Sequence, residues 1–325
     1  MFPRIFMFAG IWLLIFSLFI PAVCCIMVSP DSSDIDTARI LAKKAVEYEE
    51  SGMHDLAISS YSSALRSYPR YADAWSGMGS VLSRLGRYKE ALIALDQAIA
   101  LDPRDSVAWY SRGVVLQHLQ RYEQARQDID ESLRISPNNS FALARLGEVQ
   151  LSLGDFEGAL RSFHASASVD PSDGSAFAGL GEAFYHLNDY SNAKNATIMA
   201  LDLYPDNLRA WQVMADIADA EGKTDWAAYY RRTAVDIVVY GLTMPEYAKA
   251  LALERAFLYT RSLFAYDNAI QKYPNVAIIR VSKGEVLKKL GRYDKALQSY
   301  NQAVELDPQN ADIRLQRDQM KEMIQ

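Results

Sequence analysis

Seven prolines, Pro69, Pro103, Pro137, Pro171, Pro205, Pro274 and Pro308, follow one another at gaps of 34, 34, 34, 34, 69 and 34 residues. The long gap is two periods plus one residue. A fixed period of this kind marks a repeat array, in which each unit buries its apolar face only by stacking on its neighbours. Little chain is left for a separate catalytic domain.

With each proline at position 32 of a 34-residue unit, the chain tiles as 38–71, 72–105, 106–139, 140–173, 174–207, 208–241, 243–276 and 277–310, with Leu242 as the slip. Three other positions then fall into register. Position 8 reads Ala45, Gly79, Gly113, Gly147, Gly181, Ala215, Ala250 and Gly284. Positions 20 and 27 hold only Ala or Ser, from Ala57 and Ala64 through to Ala296 and Ala303. Small side chains at these spacings let two helix backbones approach, so they mark a contact line. Large residues fill the spaces between, such as Trp75, Trp109, Phe177 and Trp211 at position 4 and Tyr61, Leu95, Phe163, Tyr266 and Tyr300 at position 24. That is the spacing of buried helical stripes, two antiparallel helices per unit. Position 15 is Gly52, Gly86, Gly154, Asn188, Gly222 or Gly291 in six units, which suits a left-handed cap on the first helix. Proline at position 32 stops the second helix, because it lacks an N–H and clashes with the preceding turn.

The segment AWSGMGSVLSRLGRYKEALIALDQAIALDPRD, Ala74 to Asp105, resembles a tetratricopeptide repeat (TPR) at nearly every signature place. The resemblance covers residues 38–310. It implies an all-α, right-handed α-α superhelical solenoid of about eight TPR helix pairs, and residues 311–325 read as a C-terminal capping helix whose Ile313, Met320 and Met323 pack back. Two units depart from the family pattern. Unit 208–241 has Val239 at position 32 and Arg231 at position 24, and unit 243–276 has Phe257 at position 15. The slip at Leu242 lies between them, and a bend or longer helices are expected there.

The N-terminus is different material. Residues 1–30 read as a signal peptide or membrane anchor and 31–37 as a short linker. From Ile5 to Val28 there are 24 mostly apolar residues without a charge. At about 1.5 Å rise each they reach about 36 Å, enough for a hydrocarbon core of roughly 30 Å. An uncleaved anchor is favoured over a cleaved signal or a lipidated cysteine, since no clean small-residue cleavage site follows. Flanking positive charges, Arg4 and the amino terminus against Arg39, Lys43 and Lys44, do not favour export, but a very short N-terminal flank before a large domain favours an extracytoplasmic array. Secretion after cleavage and a cytoplasm-facing array are the alternatives. Both cysteines, Cys24 and Cys25, lie in this segment, which leaves the array without a disulfide framework or a Cys-based metal site.

A net charge of −6 provides no basic footprint for nucleic acid. No phosphate loop, nucleophile elbow or HExxH occurs, and the glycines already have structural roles. His118 and His186 both fall at position 13, two units apart, without a converging ligand set. The expectation is a protein that is not an enzyme, with no cofactor and no metal. Asn138 heads a glycosylation triplet in an inter-repeat loop.

The TPR resemblance implies a concave groove lined by the first helices at positions 2, 5, 6, 9, 12 and 13. Its middle units present Tyr110, Val114, Gln117 and His118, then Phe141, Arg145 and Glu148, then Glu182, Tyr185 and His186, then Arg209, Gln212, Asp216 and Asp219. Aromatics with Arg and acids suit anchors with a polar rim for a protein or peptide partner. The clamp by which TPR co-chaperones grip a C-terminal carboxylate needs Asn at positions 6 and 9, and no unit has it. The expected function is therefore a membrane-associated scaffold that binds a protein or peptide. The alternatives are a substrate-presenting accessory subunit of an enzyme complex, such as a transferase, and a self-associating structural protein.

Overall fold

A computed structural model describes residues 32–324, and every regular element among them is a helix. In chain order these are α1 (Ser32–Glu50), α2 (His54–Ser67), α3 (Ala72–Arg84), α4 (Tyr88–Leu101), α5 (Ser106–His118), α6 (Tyr122–Ile135), α7 (Ser140–Leu153), α8 (Phe156–Val169), α9 (Gly174–His186), α10 (Tyr190–Leu203), α11 (Leu208–Ala220), α12 (Thr224–Thr243), α13 (Pro245–Arg255), α14 (Tyr259–Lys272), α15 (Ala277–Lys289), α16 (Tyr293–Leu306) and α17 (Ala311–Ile324). Each odd-numbered helix up to α15 packs on the even-numbered helix after it, each pair stacks on the next, and α17 packs on α16, forming a helical solenoid. The apolar segment Ile5–Val28 lies outside the described residues. Within them no helix is long and apolar enough to cross a membrane.

The small-against-large pairing of positions 8 and 24 is direct. A Cβ built on Gly79 would come within 2.6 Å of Leu95, one on Gly113 within 2.7 Å of Ile129, and one on Gly147 within 2.8 Å of the Phe163 ring. These second-helix side chains are fully buried. Serine at position 27 is buried too, and its hydroxyl bonds across the helix pair. Ser132 Oγ donates to the Ser106 carbonyl at 2.8 Å and Ser166 Oγ to the Ser140 carbonyl at 2.9 Å.

The periodic prolines do more than end helices. The indole N–H of Trp75 donates to the Pro69 carbonyl at 2.9 Å, that of Trp109 to Pro103 at 3.0 Å, and that of Trp211 to Pro205 at 2.8 Å. Each link satisfies a carbonyl in the turn and pins the next unit on the last. Asp105, Asn139, Asp173 and Asn207, at position 34, then cap α5, α7, α9 and α11 by accepting from their first free N–H groups.

Position 15 is left-handed in all eight units. Five are glycines, and Gln120 (φ 59°), Asn188 (φ 61°) and Phe257 (φ 62°) take the same conformation. In each unit the next N–H reaches back to the carbonyl of position 11, as Met53 N does to Tyr48 O at 2.8 Å, which closes the helix in a Schellman motif.

The missing proline has the expected consequence. Every other second helix spans 14 residues, whereas α12 runs for 20 through Val239 and Leu242. Pro245 then opens α13 at its first turn, where a proline needs no N–H partner. Successive first helices touch from α1 to α11 and again from α13 to α15, but α11 and α13 make little or no such contact.

Two expectations are corrected. Residues 32–37 are the first turns of α1 and not a linker, because no Gly or Pro interrupts them and Asp34 complements the helix start. On α17, Ile313 and Met320 pack back but Met323 is 51% exposed, since it lies in the last turn of the helix and no further described element covers it.

Candidate protein-binding groove

Side chains from the first helices of four successive units meet on one face. Arg145 Nη1 on α7 donates to Glu148 Oε2 at 2.6 Å and to Gln117 Oε1 on α5 at 3.4 Å. Gln117 Nε2 reaches the same Glu148 carboxylate at 3.5 Å. Arg209 Nε on α11 donates to Glu182 Oε2 on α9 at 2.5 Å, and its Nη1 lies 3.9 Å from Glu148 Oε1. The result is a polar ladder, Gln117–Arg145–Glu148–Arg209–Glu182, that crosses from α5 to α11.

The ladder ends on more acids. Gln212 Nε2 donates to Asp216 Oδ1 at 2.8 Å. Arg231, at a place that holds Tyr, Phe or Leu in five other units, reaches from α12 to Asp219 and lies 3.6 Å from Asp216. That contact gives the unusual arginine a local role. Tyr185 sits between these acids and His186, with its ring 6.0 Å from Tyr190. Burial, and then the nearby Asp216 carboxylate, push its phenol up from the ordinary value.

Both ladder arginines are already committed to carboxylates. A partner's acid would have to displace one, so the face is poorly suited to grip a free carboxylate. Partly exposed ion pairs of this kind each contribute modestly. Unlike the ladder, the apolar side chains beside it point to water. Phe141 is 74% exposed, and Val107 on the unit before, at the same position 2, is 57% exposed. Tyr110 is half-buried, packed on the cluster of Leu116 and Ile129.

The predicted groove residues therefore divide. Arg145, Glu148, Glu182 and Arg209 are joined, and Gln212 and Asp216 form a second small group. His118 and His186 are drawn into a different contact, stacking on Tyr88 at 5.1 Å and on Phe156 at 4.5 Å, position 17 of the preceding unit in both cases. Lys289 lies over the Tyr259 ring in the same relation. No three His, Cys, Asp or Glu side chains gather as a metal site among the described residues. Val107 was not singled out from sequence. Its signal, the position 2 that it shares with Phe141, was already present in the 34-residue register. Asn138 is exposed in the turn between α6 and α7.

Comparison with known proteins agrees with this architecture. A family model described as tetratricopeptide repeat matches residues 43–106, 77–140 and 145–207, and one described as TPR repeat matches 284–317. These matches lie on either side of the stretch that contains the long α12. No curated protein matches the chain. Among solved structures, PilW, described as a widely conserved type IV pilus biogenesis factor, is similar at 19% identity with a TM-score of 0.55, over 64% of this chain and 94% of its own. Pseudomonas aeruginosa pilF is similar at 21% identity and TM-score 0.54, over 66% of this chain and 94% of its own. A tetratricopeptide repeat protein of Parabacteroides merdae is similar at 16% identity and TM-score 0.50, over 88% of this chain and 99% of its own. Likeness at these identities concerns the fold.

Proposed function

Since the chain belongs to the tetratricopeptide repeat family, we propose that it is a non-catalytic scaffold that captures a peptide or helix of a protein partner along α5, α7, α9 and α11. The observation that carries this reading is the pairing of exposed Phe141 and Val107 with an adjacent, internally satisfied polar ladder. Apolar anchors beside a rim that keeps its own hydrogen bonds gain from desolvation without leaving buried charges unpaired. Affinity would come from the two apolar side chains and Tyr185, and register from the ladder.

The test is capture of crosslinked partners by the full chain in its native membrane. Phe141→Ser should reduce capture by about tenfold, the order of one lost interface anchor, with the thermal midpoint unchanged because the ring is exposed. Capture equal to wild type would remove this face from consideration.

The apolar Ile5–Val28 segment supports a second part of the proposal, that the array is held at a membrane and faces out of the cytoplasm. A reporter fused after Gln325 that is active only in the cytoplasm would contradict that orientation, and a chain recovered wholly in the soluble fraction would contradict the anchor.

A further inference from the structure

Where the proline period lapses, an apolar cavity of about 300 Å³ lies between α10, α11, α12 and the turn from α13 to α14. Here α12 runs on, and α11 and α13 make little or no contact. Arg261 near the start of α14 pairs with Asp202 near the end of α10, which brings that turn back across unit 208–241. Ile198, Leu201, Trp211, Met214, Tyr230 and Phe257 form most of the cavity wall. Leu201 and Trp211 are buried, whereas Ile198 and Phe257 are 51% and 50% exposed, so the former make the floor and the latter the mouth.

The aromatic part of this wall is held in place. The indole N–H of Trp211 is bonded to the Pro205 carbonyl at 2.8 Å, and its ring stands 6.0 Å from Tyr230. Trp226 then links Tyr230, at 5.8 Å, to Phe257, at 6.1 Å. Phe257 owes its place to a left-handed backbone (φ 62°) that five other units give to glycine. That conformation is strained for a residue with a Cβ. A strained residue whose ring lines a cavity points to a role for the ring.

We propose that this cavity binds a small, uncharged aromatic molecule of about two fused rings, the size of indole. An apolar cavity of about 150 Å³ suffices for one benzene ring, so about twice that volume takes two. The walls set the class. Trp211, Tyr230 and Phe257 offer offset or edge-on ring contacts, and the Met214 thioether favours the edge of an aromatic ring. Arg255 sets the charge. It is the one charged side chain lining the cavity among the described residues, and its guanidinium is held by Asp236 at 2.6 Å. An anionic ligand would have to displace that carboxylate. The site uses none of the groove side chains, and its failure would leave the groove reading untouched.

The test is calorimetric titration of the full chain, in phosphatidylcholine nanodiscs, with indole. Empty nanodiscs give the uptake by lipid. Wild type is expected to bind one indole per chain. Ile198→Trp, which fills the mouth, and Phe257→Gly, which removes one wall and relaxes the turn, should each bind about tenfold more weakly while still unfolding cooperatively. A second measurement needs no variant. The aliphatic 1-hexanol should displace indole from wild type poorly, because it lacks a ring to stack. Absence of saturable indole binding, wild-type affinity in both folded variants, or displacement by 1-hexanol as effective as by indole itself would each overturn the proposal.

Discussion

Arg209 on α11 donates to the Glu182 carboxylate on α9 at 2.5 Å while its other face lies over the Phe163 ring, 5.5 Å from the centroid. One side chain thus ties three successive units together, through a first helix, a second helix and its own. Arg209→Ala should cost about 1 kcal/mol, the scale of a partly exposed ion pair with a cation–π contact. The ionic part should shrink in 1 M salt, where the Debye length is about 3 Å. Arg209→Lys should recover part of it, because an ammonium keeps the charge but not the planar stack. Denaturant midpoints at low and high salt measure both effects.

Phe163 is enclosed from two sides by residues without a Cβ. Gly147 on its own unit and Gly179 on the next would place a Cβ within 2.8 Å and 2.5 Å of the ring. Overpacking a full core costs typically about 1–3 kcal/mol, so Gly179→Ala should lower stability by that amount. Phe163→Ala should cost about 3–5 kcal/mol by leaving a cavity between two units. Chemical denaturation of each variant decides whether the ring can shift to relieve the clash.

Gln120 holds a left-handed backbone (φ 59°) where five units have glycine, and its side chain is exposed. Gln120→Gly should therefore stabilise the array by about 0.5–1 kcal/mol, since strain is relieved and no packing is lost. Phe257→Gly should gain less or lose, because the Phe257 ring also stands 6.1 Å from Trp226 and 6.1 Å from Tyr259. Thermal midpoints of the two variants should separate in that order.

Three buried phenols donate to carboxylates: Tyr61 to Glu49 at 2.6 Å, Tyr266 to Glu254 at 2.5 Å and Tyr300 to Glu285 at 2.6 Å. Burial, together with the neighbouring carboxylate, raises each above the ordinary value of 10. A folded-state pKa above the unfolded one means stability is complete below about pH 10 and falls as pH rises beyond it. Alkaline unfolding should begin above pH 10, and Tyr300→Phe should weaken that dependence. At the acid end the sign reverses. The Lys272 ammonium and the Tyr273 hydroxyl hold the Glu246 carboxylate down to about 2, from 4.5. Its contribution is present above about pH 4.5 and lost as pH falls toward 2. Stability against pH for Tyr300→Phe and Lys272→Met tests the two arms separately.

The 34-residue period carried the helix pairs, the small-residue contact line and the left-handed turns, because each of these is a local constraint repeated by one unit. Position 15 shows how far that reaches. Sequence marked six of its eight occupants, and the other two, Gln120 and Phe257, adopt the same backbone, with Arg121 N and Leu258 N closing on the position 11 carbonyl as in the glycine units. The groove was legible as a set of positions but not as a set of contacts. Arg145, Glu148, Glu182 and Arg209 are 64 residues apart at the extremes of the chain segment they share, and their joining depends on the stagger of neighbouring first helices. His118 and His186 fit the groove positions equally well, yet stacking on Tyr88 and Phe156 takes them elsewhere.

Sequence alone therefore determined that this chain is a stack of helix pairs with one interruption, since proline and glycine act on their own backbone wherever they stand. Only the tertiary structure decided what the interruption does. Without a proline at Val239, helix formation has no local reason to stop, so α12 continues to Thr243 and carries an apolar face beyond the neighbours that would have buried it. Burial is a property of what lies alongside, and no period in the sequence reports that.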